Sequence, residues 1–146
     1  MAPRPDDLDL PVHFTLDGQP VSAMPGETIL AAARRHGIEI PHLCHKDGLR
    51  ADGNCRACVV EIDGERVLAP SCCRTPDEGM QVTSQSGRAR QAQSLVVELL
   101  LSDTVDNARY TAHSELDHWR DRLGVGALRF PASATPAADL SHPAIA

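Results

Sequence analysis

Apolar and polar residues alternate through VHFTL (residues 12–16), the two-residue period of a half-buried strand. Asp17-Gly18 follows as a hairpin turn signal, and residues 20–24 are the expected return strand. Pro25-Gly26 closes the pair. The period then changes: in ILAAARRHG, Ile29, Leu30 and Ala33 share one face of a helix, capped by Glu27 or Thr28 and stopped by Gly37. His36, in the last turn of that helix, is expected to face solvent. Residues 38–41 lead into a loop rich in Cys and Gly. Residues 57–62 form an apolar run bounded by a second hairpin signal, Asp63-Gly64, with residues 66–69 as the expected return strand and 79–83 as a short last strand.

The order strand, strand, helix, loop, strand, strand, strand predicts two hairpins with one helix laid across a mixed sheet. That is a β-grasp arrangement in the α+β class. In GRARQAQSLVVELLLS (87–102) apolar residues recur at 92, 95, 96, 99 and 100, which is helical spacing. This helix is expected to pack back on its own domain, and a second helix is expected over about 111–123. The division expected is a flexible arm (1–11), a compact β-grasp domain (12–86), a helical extension (87–125) and a disordered or partner-docking tail (126–146) rich in Ala, Pro and Ser.

Composition narrows the class. Among 146 residues there are one Trp, one Tyr and two Phe, so the core is small and aliphatic. The net charge of −6 gives nucleic-acid binding no electrostatic support. MAPRPDDLDL has no apolar stretch, so no signal peptide is expected, and the run from Leu95 to Leu101 is interrupted by Glu98 and far too short to cross a bilayer. A cytoplasmic chain without membrane insertion is expected, and its five cysteines point to metal or cluster ligation rather than disulfides.

Four of those cysteines, Cys44, Cys55, Cys58 and Cys72, are spaced C-x10-C-x2-C-x13-C, and Cys73 follows directly. Four soft thiolates suit zinc or an iron–sulfur cluster. The loop CHKDGLRADGNCRAC holds Gly48 and Gly53, which let backbone N–H groups turn toward an anionic centre. This favours a 2Fe–2S cluster. Structural zinc sites prefer two C-x2-C knuckles, and here the second pair is adjacent, so a zinc-stabilised interaction module ranks lower. His42 and His45 flank Cys44, but a two-histidine centre would leave ligating cysteines spare. Lys46 and Arg56 are read as solvated charges, His113 and His118 as surface residues, and Trp119 as a packing anchor. Cys73 is a spare thiol with no evident base beside it, so a self-sufficient thiol enzyme ranks last. No GxGxxG fingerprint for a dinucleotide is present.

The segments PGETIL (25–30), IPHLCH (40–45), GNCRACVVEI (53–62), VLAPSCCR (67–74), GMQV (79–82) and VVELLLSD (96–103) carry a family resemblance. Over residues 12–103 the chain resembles the N-terminal 2Fe–2S ferredoxin domain of NAD-dependent formate dehydrogenase alpha subunits. More distantly it resembles the same domain in the complex I large iron–sulfur subunit and in NAD-reducing and iron-only hydrogenases. The resemblance implies one 2Fe–2S cluster held by Cys44, Cys55, Cys58 and Cys72, with Cys44 and Cys55 on one iron and Cys58 and Cys72 on the other. Counting forward from the strand at 67–71 places the fourth ligand at Cys72; counting back from Pro76 favours Cys73; the strand-side count is preferred. The implied role is one-electron transfer with no catalytic residue of its own, beside flavin/NAD-binding and molybdenum- or 4Fe–4S-containing subunits. A hydrogenase or complex I-like assembly is the alternative. Where relatives carry a cysteine that helps hold a further 4Fe–4S cluster, HSELDHW has Ser114, so that second cluster is expected to be absent. The chain is expected to be either a small separate subunit or a piece of a longer one.

Overall fold

A computed structural model describes residues 10–104 and 114–131. Strands β1 (Val12–Leu16) and β2 (Gln19–Ala23) form the first hairpin, helix α1 (Ile29–Arg35) follows, and β3 (Val59–Ile62), β4 (Ala69–Pro70) and β5 (Gln81–Thr83) complete a five-stranded sheet ordered β2-β1-β5-β3-β4. β1 and β5 are parallel and the other pairings antiparallel. This is the mixed sheet with a crossing helix read from the pattern. The inward residues of the alternating strands, Phe14, Leu16, Val21, Val60 and Val82, meet Ile29, Leu30, Ala32 and Ala33 of α1 and Ile40 in one aliphatic core.

The turns follow their chemistry. Asp17 and Gly18 both have positive φ, at 51° and 78°, as a two-residue hairpin loop demands. Asp17 also reaches across the fold: its carboxylate accepts from the Ser84 N–H at 2.7 Å, the Ser84 hydroxyl at 2.6 Å and the Gln85 N–H at 3.2 Å. Thr28 caps α1, its hydroxyl accepting from the Ala31 N–H, and the helix ends at His36, which is exposed, with Gly37 left-handed behind it.

Two expectations need correction. The return strand expected over 66–69 shrinks to Ala69–Pro70, with Val60 opposite Ala69. Asp63-Gly64 does turn, but the Asp63 N–H donates to Gln81 on the β5 side, and Arg66 and Val67 are solvated. The apolar stripe expected to seat the next helix is also misplaced. Helix α2 (Gly87–Asp103) buries Ala89, Gln93, Val97, Glu98 and Ser102 against β3 and helix α3 (Glu115–Leu123), while Leu95 and Leu99 are exposed. Ala89 and Val97 are short enough to let this face approach β3, and Gln93, 1 % exposed, donates from Nε2 to Val59 O at 2.9 Å and Ser84 O at 3.2 Å. Polar bridging therefore outweighs the leucines in orienting α2. Helix α3 begins at Glu115, and the expected start at 111–113 lies outside the described residues. Ser114 caps it in a reciprocal box with Asp117. The arm to residue 9 and the tail from 132 also lie outside the described residues. Among the described residues, no helix is long and apolar enough to cross a membrane.

Candidate iron–sulfur site

Two segments bring the cysteines together. The first is the loop from Pro41 to Cys58, launched from buried Ile40, whose carbonyl lies 2.9 Å from His42 Nδ1. Three left-handed residues bend this loop: Gly48 at φ 82°, Gly53 at 63° and Arg56 at 60°. The bends turn N–H groups toward sulfur. The Cys55 N–H points at Cys44 Sγ and the Ala57 N–H at Cys55 Sγ, each at 3.5 Å. Burial pushes the Cys55 thiol up, but the Ala57 N–H, the Cys44 N–H and side chain and the Leu43 N–H together outweigh it and hold the thiol below its ordinary range. Burial pushes Cys44 up.

The second segment is a tight turn after β4, in which the Cys73 and Arg74 N–H groups both donate to Pro70 O at 3.0 Å. Ser71 locks it in place. Fully buried, Ser71 donates to Cys58 O from its hydroxyl at 2.7 Å and from its N–H at 3.1 Å, while its carbonyl accepts from the Leu30 N–H. One residue thus ties the turn to the start of β3 and to α1. Cys72 is buried with its sulfur against that of Cys58; burial first, and the Cys58 sulfur next, drive its thiol well above the ordinary range.

The Cys55 N–H thus aims at Cys44 Sγ in the first segment, while Cys58 and Cys72 are buried together where the two segments meet. A structural zinc draws four sulfurs onto a single tetrahedral centre, whereas a 2Fe–2S cluster takes one pair on each iron. The N–H groups aimed at sulfur and the buried Gly53 in the loop fit the anionic cluster. Cys73 is exposed and 3.6 Å from Cys72, sulfur to sulfur.

Residues 9–87, more than half of the chain, match the family described as the 2Fe-2S iron-sulfur cluster binding domain. The chain belongs to that family. It carries one 2Fe–2S cluster and is an electron-transfer domain. This 2Fe–2S domain is 40 % identical over 120 residues to the NADP-reducing hydrogenase subunit HndD of Solidesulfovibrio fructosivorans, covering 77 % of this chain and 20 % of that subunit. It is 38 % identical over 92 residues to the mitochondrial NADH-ubiquinone oxidoreductase 78 kDa subunit of Candida albicans, covering 63 % of this chain and 13 % of that one. Among solved structures, it resembles a chain of an NAD+-reducing NiFe hydrogenase in the H2-reduced state, with a TM-score of 0.75 and 32 % identity over 90 % of this chain and 57 % of that chain. The 2Fe–2S domain thus spans about a fifth or less of the two curated relatives.

Other residues singled out from the sequence lie within or beside the cysteine loop of the 2Fe–2S domain. Lys46 and Arg56 are exposed. The His42 ring packs on Trp119, centroids 5.9 Å apart, and His118 packs on the same indole at 5.0 Å. Trp119, 7 % exposed, is the packing anchor expected of it, and through His42 it braces the start of the cysteine loop. His113 lies outside the described residues. A cavity of about 370 Å³ between α2 and α3, lined by Gln93, Arg90, Trp119 and Arg122, touches the start of the cysteine loop at Pro41 but holds no thiol. Ser71 and Gln93 escape sequence analysis because neither belongs to a motif that announces a long-range hydrogen bond.

Proposed function

We propose that Cys44, Cys55, Cys58 and Cys72 are the four ligands, the first two on one iron and the last two on the other. The observation that carries this is the convergence of two segments locked together by Ser71, with the Cys55 N–H aimed at Cys44 Sγ and with Cys58 and Cys72 buried where they meet. When bound, the cluster supplies reversible one-electron transfer. The chain fixes the sulfurs, aims the Cys55 and Ala57 N–H groups at them, and through Ser71 prevents the two segments from separating. Such hydrogen bonds to sulfur, with solvent exposure, set the potential. No side chain here is assigned a catalytic step.

We further propose that the domain relays single electrons in the cytoplasm within an NAD-linked, formate dehydrogenase-like complex, beside flavin/NAD-binding and molybdenum- or 4Fe–4S-containing subunits. Support comes from the motifs PGETIL, GNCRACVVEI and VLAPSCCR, and from relatives named as subunits of NAD(P)-linked oxidoreductases. A hydrogenase or complex I-like assembly is the second proposal, favoured by the names of those relatives. The test is to isolate the natural assembly through a tag on this chain, under anaerobic conditions, and to add formate, H2 or NADH separately. Formate must bleach the cluster and reduce NAD. Bleaching by H2 without formate would move the chain to a hydrogenase. Bleaching by NADH alone, with quinone as acceptor, would move it to a complex I-like assembly.

A further inference from the structure

Cys73 has no place in the four-ligand set, yet its position is not that of a stray surface thiol. Its sulfur lies 3.6 Å from that of Cys72. Two thiolates bound to one tetrahedral metal at about 2.3 Å stand about 3.7 Å apart. Cys73 Sγ is therefore no farther from Cys72 Sγ than two sulfurs that share a metal, and it lies directly beside the position from which Cys72 would hold iron. Its other neighbour is the cysteine loop: a Cβ placed on Gly53 would lie 3.1 Å from Cys73 Sγ. Gly53 is buried and left-handed at φ 63°, two residues before Cys55. The space that any other residue would fill with its Cβ borders the fifth sulfur. Cys73 thus stands between Cys72 and the segment that presents Cys55, on a turn held by Pro70 O and by both donors of Ser71.

We propose that Cys73 is a reserve ligand, able to take the place of Cys72 on the iron that Cys72 shares with Cys58. This rests on the assignment of Cys72 as the primary ligand. The exchange balances without electron transfer: the iron–sulfur bond to Cys72 breaks, that to Cys73 forms, and the Cys73 proton passes to the Cys72 thiolate. Cys72 is primary because it is buried against Cys58, while Cys73 is exposed. A soft, exposed thiol one residue along the turn and in contact with Cys72 Sγ is the nearest substitute donor. The pair Cys72-Cys73 thereby keeps the cluster bound when the primary sulfur is lost.

The test compares C72A, C73A and C72A/C73A in the full chain, expressed with iron and sulfide available and handled anaerobically. The readouts are iron and acid-labile sulfide per chain, EPR of the dithionite-reduced protein, and far-UV circular dichroism. C73A is expected to match wild type in iron, sulfide and g values. C72A is expected to keep most of its iron and sulfide with shifted g values and absorption, and C72A/C73A to lose the cluster. C72V, which keeps volume but offers no donor, is made alongside C72A in case the alanine variant does not fold. If C72A and C72V are as empty as C72A/C73A, or both are unfolded, while C73A is normal, the reserve role is overturned and the primary assignment stands. If C73A loses the cluster and C72A matches wild type, the primary assignment itself fails.

Discussion

Replacing Gln93 tests the claim that a polar bridge, not the leucine stripe, seats α2. Its side chain is 1 % exposed, and Nε2 donates to Val59 O and Ser84 O. Both partners are carbonyl oxygens, so neither can replace the lost donor. Gln93→Met keeps the volume and removes both bonds; at about 1 kcal/mol for each net hydrogen bond it costs about 2 kcal/mol. Gln93→Ala also removes side-chain volume, which adds about 1–2 kcal/mol. Cluster release makes unfolding irreversible, so the assay is the unfolding rate of the holoprotein in anaerobic guanidinium, followed by far-UV circular dichroism. If α2 is undocked in the transition state, the rate rises about 30-fold for Q93M and a few hundred-fold for Q93A. The parallel substitution Leu95→Ala, on an exposed position of the same helix, is expected to change the rate less than about threefold. A rate for Q93M within threefold of wild type, or a larger effect from L95A than from Q93A, would refute the reasoning.

The Glu27 carboxylate is held below the ordinary carboxylate range chiefly by the Arg35 guanidinium, against burial and with help from the Met24 N–H. A depressed pKa stabilises above the unfolded value, and that contribution is lost as pH falls through the folded value. The difference in melting temperature between wild type and E27Q should therefore be present at pH 7 and shrink below about pH 4, and a difference that grows on acidification would contradict the pairing. Asp17→Ala removes three hydrogen bonds at a left-handed residue and should destabilise by about 2 kcal/mol or more in unfolding-rate measurements, while D17N, whose amide oxygen still accepts from backbone and tolerates positive φ, should cost less than half of that. Ser114→Ala removes the capping box of α3 at a cost of about 1 kcal/mol, so amide exchange in residues 115–118 should quicken several-fold with no change in β1 or β3.

The first hairpin and α1 are legible in the sequence because every signal for them is local: a period of two in VHFTL, Asp17-Gly18, then a capped run of ILAAA ended by Gly37. The cysteine pattern is legible for a different reason, since ligation constrains spacing more tightly than packing does. What stays hidden depends on partners far along the chain. Asp17 reaches Ser84, Gln93 reaches Val59, and Ser71 reaches Cys58, and nothing adjacent to these residues marks their targets. The buried face of α2 is hidden because Leu95 and Leu99 carry the stronger apolar signal, yet small Ala89 and bridging Gln93 fit β3. The strand before the second ligand segment is shorter than its sequence suggests because Asp63-Gly64 signals a turn but not where pairing resumes.

The central claim is that this chain holds a single 2Fe–2S cluster on two thiol pairs. The most direct measurement is iron, sulfide and zinc content of the anaerobically prepared protein, with its EPR spectrum after dithionite. Two irons and two sulfides per chain, with one rhombic S = 1/2 signal, are predicted. A colourless protein with one zinc would contradict the redox role, and several further irons per chain would show a second cluster that five cysteines in this arrangement do not provide for.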